Sequence, residues 1–292
     1  MTWVNALVQG LLLGGLYALF ACGLSLMFGV MRIINLAHGD IAIMGAFLTF
    51  QIATRLDVSP FLALVPTLLV MGALGYALQR TILARSLRSG TLIPLLTTFG
   101  LSIVIQNGLL QGFSADVHSL GPQAGSIATA SLTISSQLSV PYFGLVTMVV
   151  AVCLLGGLQT VLQRTAFGRE MRATAADPDT AGLVGIPAAS VYGKATAIAV
   201  ATAALAGTFL AIRSTFDPSS GPTQLIFAFE AVVIGGLGSL WGTLGGGIVL
   251  GIAQTVGANI DPQFSILAGH LVFLIILASP RGRYLATRSA TA

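Results

Sequence analysis

The chain has 292 residues, of which 55% are hydrophobic and only 8% charged. Soluble domains carry about 25% charged residues, so this composition excludes a soluble globular protein and points to a polytopic membrane protein. The net charge of +4 is carried almost entirely by arginine. In a membrane protein such an excess marks inner-side loops, not a nucleic-acid surface.

In chain order, residues 4–30 form a first apolar run, long enough for one tilted spanning helix. Gly10 and Gly14 sit one turn apart on it and let a neighbouring helix approach closely. The stretch 31–40 follows and holds Asn35, His38 and Asp40 where the chain re-enters the membrane. A second run continues to about Thr54, and Asp57, Ser59 and Pro60 mark a turn. Residues 61–79 are a third run, closed by a basic loop with Arg80, Arg85 and Arg88. Residues 91–110 are a fourth.

Residues 112–140 are polar, rich in Ser, Thr, Gly and Gln, and contain no Lys or Arg. Within them 127–134 alternates weakly, which predicts a small hairpin. Residues 141–163 are the fifth run. It leads into 164–194, where Arg164, Arg169, Glu170, Arg172, Asp177, Asp179 and Lys194 concentrate much of the charge of the chain.

The grammar of this loop predicts two short helices. The first includes Gly168, Arg169, Met171 and Arg172. The second starts with Asp177 as N-cap and Pro178 at the first helical position, where its missing N–H is not needed. Gly185 is its stop, and Pro187 prevents continuation. Ala181, Leu183 and Val184 are expected to face a partner outside the membrane.

Residues 191–212 are the sixth run, and 217–222 a loop. Residues 225–256 are apolar but crowded with glycine, including Gly236, Gly238 and then Ser239 to Gly242. Glycines 238, 242 and 246 lie one turn apart, as do 247 and 251. A break at Asp261 and Pro262 precedes the last run, 264–278.

Charge sets the orientation. If Arg32, the 80–88 loop, the 164–194 loop and the C-terminal arginines 281, 283 and 288 face inward, every basic residue but Arg55 and Arg213 is inside. Parity then requires an odd number of crossings after residue 217. The glycine-rich run must therefore turn at 239–242 and cross twice, or re-enter. This predicts an all-α fold of eight to nine spanning helices, N-terminus outside, in one domain over 1–292. The 164–190 loop lies inside and 112–140 outside.

Enzyme motifs are missing. Gly193-Lys194 lacks the upstream glycine of a phosphate-binding loop. Glycines 236, 238 and 242 do not have dinucleotide spacing, and neither H-E-x-x-H nor G-x-S-x-G occurs. His38, His118 and His270 are far apart in sequence. Cys22 and Cys153 fall within apolar runs and read as small core residues, which argues against a disulfide or metal site. The N-terminus has no basic stretch before its first run and no small-residue cleavage pattern, which argues against a removable signal.

Asn35, His38 and Asp40 admit two readings. One is a capping network, with Asn35 capping the next helix and His38 hydrogen-bonded to Asp40. The other is a gate or pathway lining. Glu230, the acidic residue inside the glycine-rich run, is either interfacial or a pathway residue.

Gly15-Leu16-Tyr17-Ala18-Leu19, the stretch from Phe28 to Asp40 with Asn-Leu-Ala-His-Gly-Asp at 35–40, and Gly45-Ala46-Phe47 carry a resemblance. Later stretches continue it in the same order: Gly168-Arg169, Met171-Arg172-Ala173, Asp177-Pro178, Gly185-Ile186, Val233 to Ser239 and Gly245-Gly246. The chain resembles the inner-membrane permease of branched-chain amino acid ABC importers, the LivH type. Ser279-Pro280-Arg281-Gly282-Arg283 departs from the Arg-Pro-x-Gly-Leu ending common in that family.

The resemblance implies a permease in the bacterial inner membrane, with no cofactor and no catalysis of its own. It implies a second related permease, two cytoplasmic ATPases and a periplasmic substrate-binding protein as partners. It makes Gly168, Arg169, Met171, Arg172, Asp177, Pro178, Ala181, Leu183 and Gly185 the ATPase-coupling segment. Asn35, His38, Asp40, Glu230, Gly236, Gly238 and Ser239 are candidates for pathway or gate. The expected substrate is a branched-chain or other neutral amino acid; urea, short amides and aromatic acids are the alternative. An ion-driven carrier is disfavoured, because Glu230 is the sole mid-membrane carboxylate candidate.

Overall fold

The structure, a computed structural model, describes residues 3–87, 90, 92–135 and 138–279. Helix α1 spans Trp3–Met31, α2 His38–Leu56, α3 Pro60–Leu78 and α4 Leu92–Phe113. A hairpin of β1 Ser131–Ser135 and β2 Leu138–Pro141 follows. Then come α5 Tyr142–Arg164, α6 Ala166–Ala176, α7 Pro178–Leu183 and α8 Ala188–Arg213. The chain closes with α9 Gly221–Gly235, α10 Leu240–Ile260 and α11 Phe264–Ala278. Arg88, Thr91, Pro280, Arg281, Gly282, Arg283 and Arg288 lie outside the described residues.

Among the described residues, six helices are long and apolar enough to cross a membrane: α1, α3 with its continuation to Leu87, α4, α5, α8 and α10. The protein is thus an all-α, multi-pass membrane protein. Helices α9 and α11 are apolar but have only 15 residues each, and α2 has 19. A count of eight to nine crossings requires these shorter helices too.

The core is built on α1 and α8. Their apolar windows are 83% buried, against 22% for α3, α4 and α5. Helix α1 is hydrophobic on all sides, as a helix enclosed by others must be. Its closest neighbour is α10, and the glycine stripes read from the sequence face each other there. A Cβ at Gly14 would lie 2.8 Å from the Gly247 carbonyl oxygen, and one at Gly251 would lie 2.6 Å from the Gly14 nitrogen. On the other side of α10, Gly242 and Gly246 meet the carbonyls of Gly235 and Ala231 on α9. No side chain fits at these contacts, so the three backbones approach as closely as glycine allows.

The turn in the glycine-rich run falls at Gly236–Ser239, three residues before the expected position; Trp241 and Gly242 are already helical. Gly236 and Gly238 have φ of 92° and 80°. These left-handed conformations suit glycine and fix the turn there. Ser239 then caps α10 by accepting from the Gly242 N–H at 3.1 Å. Helices α9, α10 and α11 thus run antiparallel in succession, each packed on the next.

The chain does not enter α2 at the end of α1. The His38 ring Nε2 lies 2.9 Å from the Phe20 carbonyl oxygen. Phe20 is about 16 Å up the axis from Met31 at 1.5 Å per residue. Residues 32–37 therefore climb back into the bundle in irregular form, and α2 begins at depth. Farther along, the Thr49 hydroxyl bonds Thr67 at 3.0 Å and Thr208 at 2.9 Å, tying α2 to α3 and α8.

Each end of the bundle gathers its own loops. At one end, Thr196 near the start of α8 donates to Gln79 at the end of α3 at 2.9 Å. Lys194 Nζ stands 5.5 Å over the Phe167 ring, and Gly238 lies against Gly29. Helices α6 and α7 belong to this end. At the other, Gln9 donates to the Ser139 carbonyl at 2.7 Å, and His118 and Phe216 exchange backbone bonds of 2.9 Å. The hairpin runs over 131–141, not 127–134; Ser126–Thr129 is a helical turn instead.

The packing gives a matched test. A Cβ at Gly247 would sit 2.7 Å from the Gly14 oxygen, whereas one at Gly245 meets nothing within 4 Å. Gly247→Val should lower stability by roughly 1–3 kcal/mol, read as a fall in unfolding temperature of the detergent-purified protein. Gly245→Val should leave it nearly unchanged. Equal effects at the two positions would contradict the α1–α10 contact.

Candidate functional site

Helices α6 and α7 form a compact angled hairpin. Thr165 caps α6 by accepting from the Gly168 N–H at 3.1 Å. Gly168 has no room for a side chain: a Cβ would collide with the carbonyls of Val161 and Leu162. That absence lets α6 fold back on the last turn of α5. Arg172 Nη1 donates to the Leu162 carbonyl and locks the fold, and Met171 is buried beneath it. Arg169 is exposed.

Asp177 caps α7 as the sequence predicts. Its Oδ1 accepts from the N–H groups of Asp179 at 3.0 Å and Thr180 at 3.2 Å, and its Oδ2 accepts from the Thr180 hydroxyl at 2.5 Å. Pro178 opens the helix, and Gly185, at φ 85°, ends it. One expectation is corrected. Ala181 is 4% exposed and turned inward, where its carbonyl accepts from the Ile186 N–H at 3.0 Å. Leu183 and Val184, at 87% and 73% exposed, form the outward tip.

The cluster at 35–40 is fully buried, and its bonds differ from those expected. Ala37, not Asn35, is the N-cap of α2. Asn35 Oδ1 instead accepts from the Ala37 N–H at 3.0 Å, while its Nδ2 points to the Met27 sulfur at 3.7 Å. His38 and Asp40 do not bond each other. His38 reaches Phe20 on α1, and Asp40 Oδ2 accepts from the Ser102 hydroxyl on α4 at 2.5 Å. Thr98, one turn before Ser102, accepts from the Leu36 N–H at 3.1 Å. The sequence reading passed over Thr98 and Ser102. Their i, i+4 spacing on an apolar helix is the signal that marks one polar face.

Glu230 is 3% exposed, and its Oε1 lies 2.5 Å from His270 Nδ1 on α11. Its carboxylate is enclosed by protein. Nearby, the Tyr17 hydroxyl donates to Gln254 Oε1, and Tyr17 and Phe227 pack with ring centroids 5.2 Å apart. Gly236, Gly238 and Ser239 belong to the α9–α10 turn at the hairpin end. The candidate gate residues therefore form three separate places, not one site. Among the described residues no group of three or more His, Cys, Asp or Glu could hold a metal ion.

A family model described as the permease component of the branched-chain amino acid transport system matches residues 6–280. The chain belongs to that family. The permease is 30% identical to the high-affinity branched-chain amino acid transport permease BraD of Pseudomonas aeruginosa, over 96% of this chain and 95% of that one. It is 29% identical to LivH of Escherichia coli K12, over 96% and 94%. The fructose import permease FrcC of Rhizobium meliloti is also 29% identical, over 84% of this chain and 69% of FrcC. Among solved structures, PsaBC from Streptococcus pneumoniae in complex with Fab gives a TM-score of 0.47 at 15% identity, over 99% of this chain and 96% of that one.

Two measurements test the permease at these places. His270→Leu removes the partner of a buried carboxylate and should cost roughly 1–3 kcal/mol. Glu230→Met with His270→Leu should recover most of that loss. A double variant no more stable than the single would show that the pair is not what holds α11. At Asp177, the Thr180 hydroxyl, followed by the Thr180 and Asp179 N–H groups, holds the carboxyl below its ordinary value. The cap is thus fully present above the usual carboxylate range, near pH 4, and fades as pH falls through the lowered native value. Amide exchange at Asp179 and Thr180, corrected for intrinsic rates, should stay flat from pH 7 to about 5 and quicken below about 4. In Asp177→Asn this acid-dependent change should vanish.

Proposed function

We propose that the chain is the membrane-spanning permease subunit of a binding-protein-dependent ABC importer. Its cargo on this reading is a branched-chain or other neutral amino acid, moved across the bacterial inner membrane. Hydrolysis of ATP takes place in two partner ATPases, and a second homologous permease and a periplasmic binding protein complete the assembly. The chain itself is not an enzyme and needs no cofactor.

The observation that carries the reading is the α6–α7 hairpin. It is capped at both helices and locked to the end of α5, and it projects Leu183 and Val184 into water. An exposed apolar tip on a rigid stem is what a groove on an ATPase would grip. Arg169, on α6, is exposed as well. The end of the bundle that carries the hairpin also gathers Arg80, Arg164 and Lys194, which supports a cytoplasmic assignment for it. With α2, α9 and α11 counted, the described residues make nine crossings.

The polar groups at depth fit a structural role in rocking. Asn35, His38 and Asp40 hold the break before α2, while Gly236, Gly238 and Ser239 form the turn before α10. Glu230 ties α9 to α11. On this reading they define rigid pieces that move against one another, and the pathway forms beside them. The named cargo of BraD and LivH supports the substrate class. The likeness to a fructose permease supports the second reading, in which the permease tolerates other small uncharged solutes such as urea or short amides. Selection then lies in the binding protein.

The contact is tested by Leu183→Asp and Val184→Asp. Both positions are exposed, so the loop should fold while ATPase copurification and binding-protein-stimulated hydrolysis fall at least tenfold. Normal stimulation in both variants would remove the tip as the contact. Ala181→Arg is the wrong probe, because it disrupts the interior of the hairpin. The cargo is tested with the full complex in liposomes and its own binding protein. Labelled leucine should enter in a saturable, ATP-dependent manner, and urea and benzoate should not. Urea uptake without leucine uptake would replace the substrate class and leave the transporter class standing.

A further inference from the structure

With α3 and α5, helix α4 is among the least enclosed of the long helices, its apolar window only 22% buried. Its inner face is accounted for, since Thr98 and Ser102 bond Leu36 and Asp40 at the break before α2. Its outer face is not. At 3.6 residues per turn, Thr97, Gly100, Val104, Asn107, Gly108 and Gln111 fall on one stripe, opposite Ser102 and the buried Leu109. Thr97 is half-buried and the other five are exposed. The stripe runs about 21 Å along the axis, and Asn107 lies about 9 Å inside the Phe113 end of the helix.

This face is unlike the other exposed faces. On α3 the exposed stripe carries Leu62, Val65 and Leu69, and on α11 Leu267, Leu271 and Leu274, which suits lipid. On α4 the side chain pointing most directly outward is an amide, a hydroxyl or nothing in five of six positions. Asn107 Nδ2 donates to the Ile103 carbonyl at 2.8 Å, but its Oδ1 accepts nothing among the described residues, and the Gln111 amide has no partner there either. Hydrocarbon cannot supply one. The glycines differ as well. Those of α1 and α10 are needed for backbone contact, whereas a Cβ at Gly100 or Gly108 would meet nothing within 4 Å. Packing within the chain does not explain them; they keep a trough open along the stripe. Helix α4 has no Asp, Glu, Lys or Arg, so the trough offers hydrogen bonds without fixed charge. By contrast Asn35, His38, Asp40 and Glu230 are buried.

We propose that this stripe is a wall of the transport path, along which a neutral amino acid moves in water with Thr97, Asn107 and Gln111 as successive hydrogen-bonding stations. An uncharged polar wall suits a zwitterion, because it can meet the ammonium and the carboxylate in turn without trapping either. Val104 and the open glycines leave room for the aliphatic body. The cargo, and the second permease that closes the far side, come from the permease reading above; water along the stripe does not depend on it.

The test uses the assembled complex in nanodiscs, with Cys153, which is exposed on α5, replaced by alanine; Cys22 is fully buried and stays. Single cysteines are placed at positions 100, 104, 107 and 108 on the stripe, and at Ile103 and Leu69, which are exposed off it. A charged thiol reagent needs water and a thiolate, so the stripe should label about tenfold faster than the two controls. In liposomes, Asn107→Leu should lower leucine uptake about tenfold, the loss of one hydrogen bond to a charged end of the cargo. Asn107→Gln should recover most of it. Gly108→Leu, at a position with open space, should fold and block uptake, with ATPase copurification confirming assembly in each variant. A silent stripe, whether covered by lipid or by a second permease packed directly on it, would overturn the wall, as would equal labelling at Ile103 and Leu69. Labelling with undiminished uptake in both Asn107→Leu and Gly108→Leu would overturn the path. An unmutated complex that imports no amino acid would instead refute the permease reading's cargo, leaving the labelling to judge the wall.

Discussion

Inside a bilayer no water is available to satisfy an open peptide group, and the structure answers that constraint at one place above all. The chain between α1 and α2 is irregular and lies at membrane depth. Such backbone is tolerated only where protein encloses it and supplies its hydrogen bonds. Here Asn35 takes the Ala37 N–H, Thr98 takes the Leu36 N–H, and the His38 ring meets the Phe20 carbonyl. The position of α4 follows, since Thr98 and Ser102 must face the break. The central place of α1 follows as well, since its own carbonyl is one of the partners.

Glycine supplies the complementary device. Where α1, α10 and α9 touch, the side chains have been removed and the backbones meet directly. Contacts of this kind resist shear, because any sliding drives a carbonyl into a neighbouring Cα. The three helices therefore behave as a block. Gly168 does the same at smaller scale, seating α6 on the end of α5. On the proposed reading, a push at Leu183 travels through a stiff stem into that block.

Much of this was legible in the sequence. The spacing of Gly10 and Gly14 announced a close helix neighbour, because one turn of helix separates them; that the neighbour is the stripe of Gly247 and Gly251 is shown by the structure. Asp177-Pro178 and Gly185 announced α7 through capping and φ alone, which are local properties. Partners distant in sequence were not legible. Nothing local says that Asp40 will find Ser102, or that Glu230 will find His270. Nor did the turn before α10 declare its place among so many glycines; the left-handed pair at 236 and 238 decided it. Ala181 looked outward because helical spacing in a six-residue helix leaves the buried face ambiguous until the stem it packs on is known.

Helix α11 has one more consequence. It lies at the rim of the bundle, and Ile266, Leu267, Leu271, Leu274 and Ile275 are exposed. Fifteen residues of helix reach only about 22 Å, whereas the hydrocarbon core of a typical bilayer is about 30 Å thick. On the proposed nine-crossing reading, lipid beside this rim must thin to meet it, at a fraction of a kcal/mol for each ångström of mismatch. On the opposite rim, the 28 residues from Pro60 to Leu87 span about 42 Å and impose no thinning. On that reading the hydrophobic height of the permease is uneven from one rim to the other.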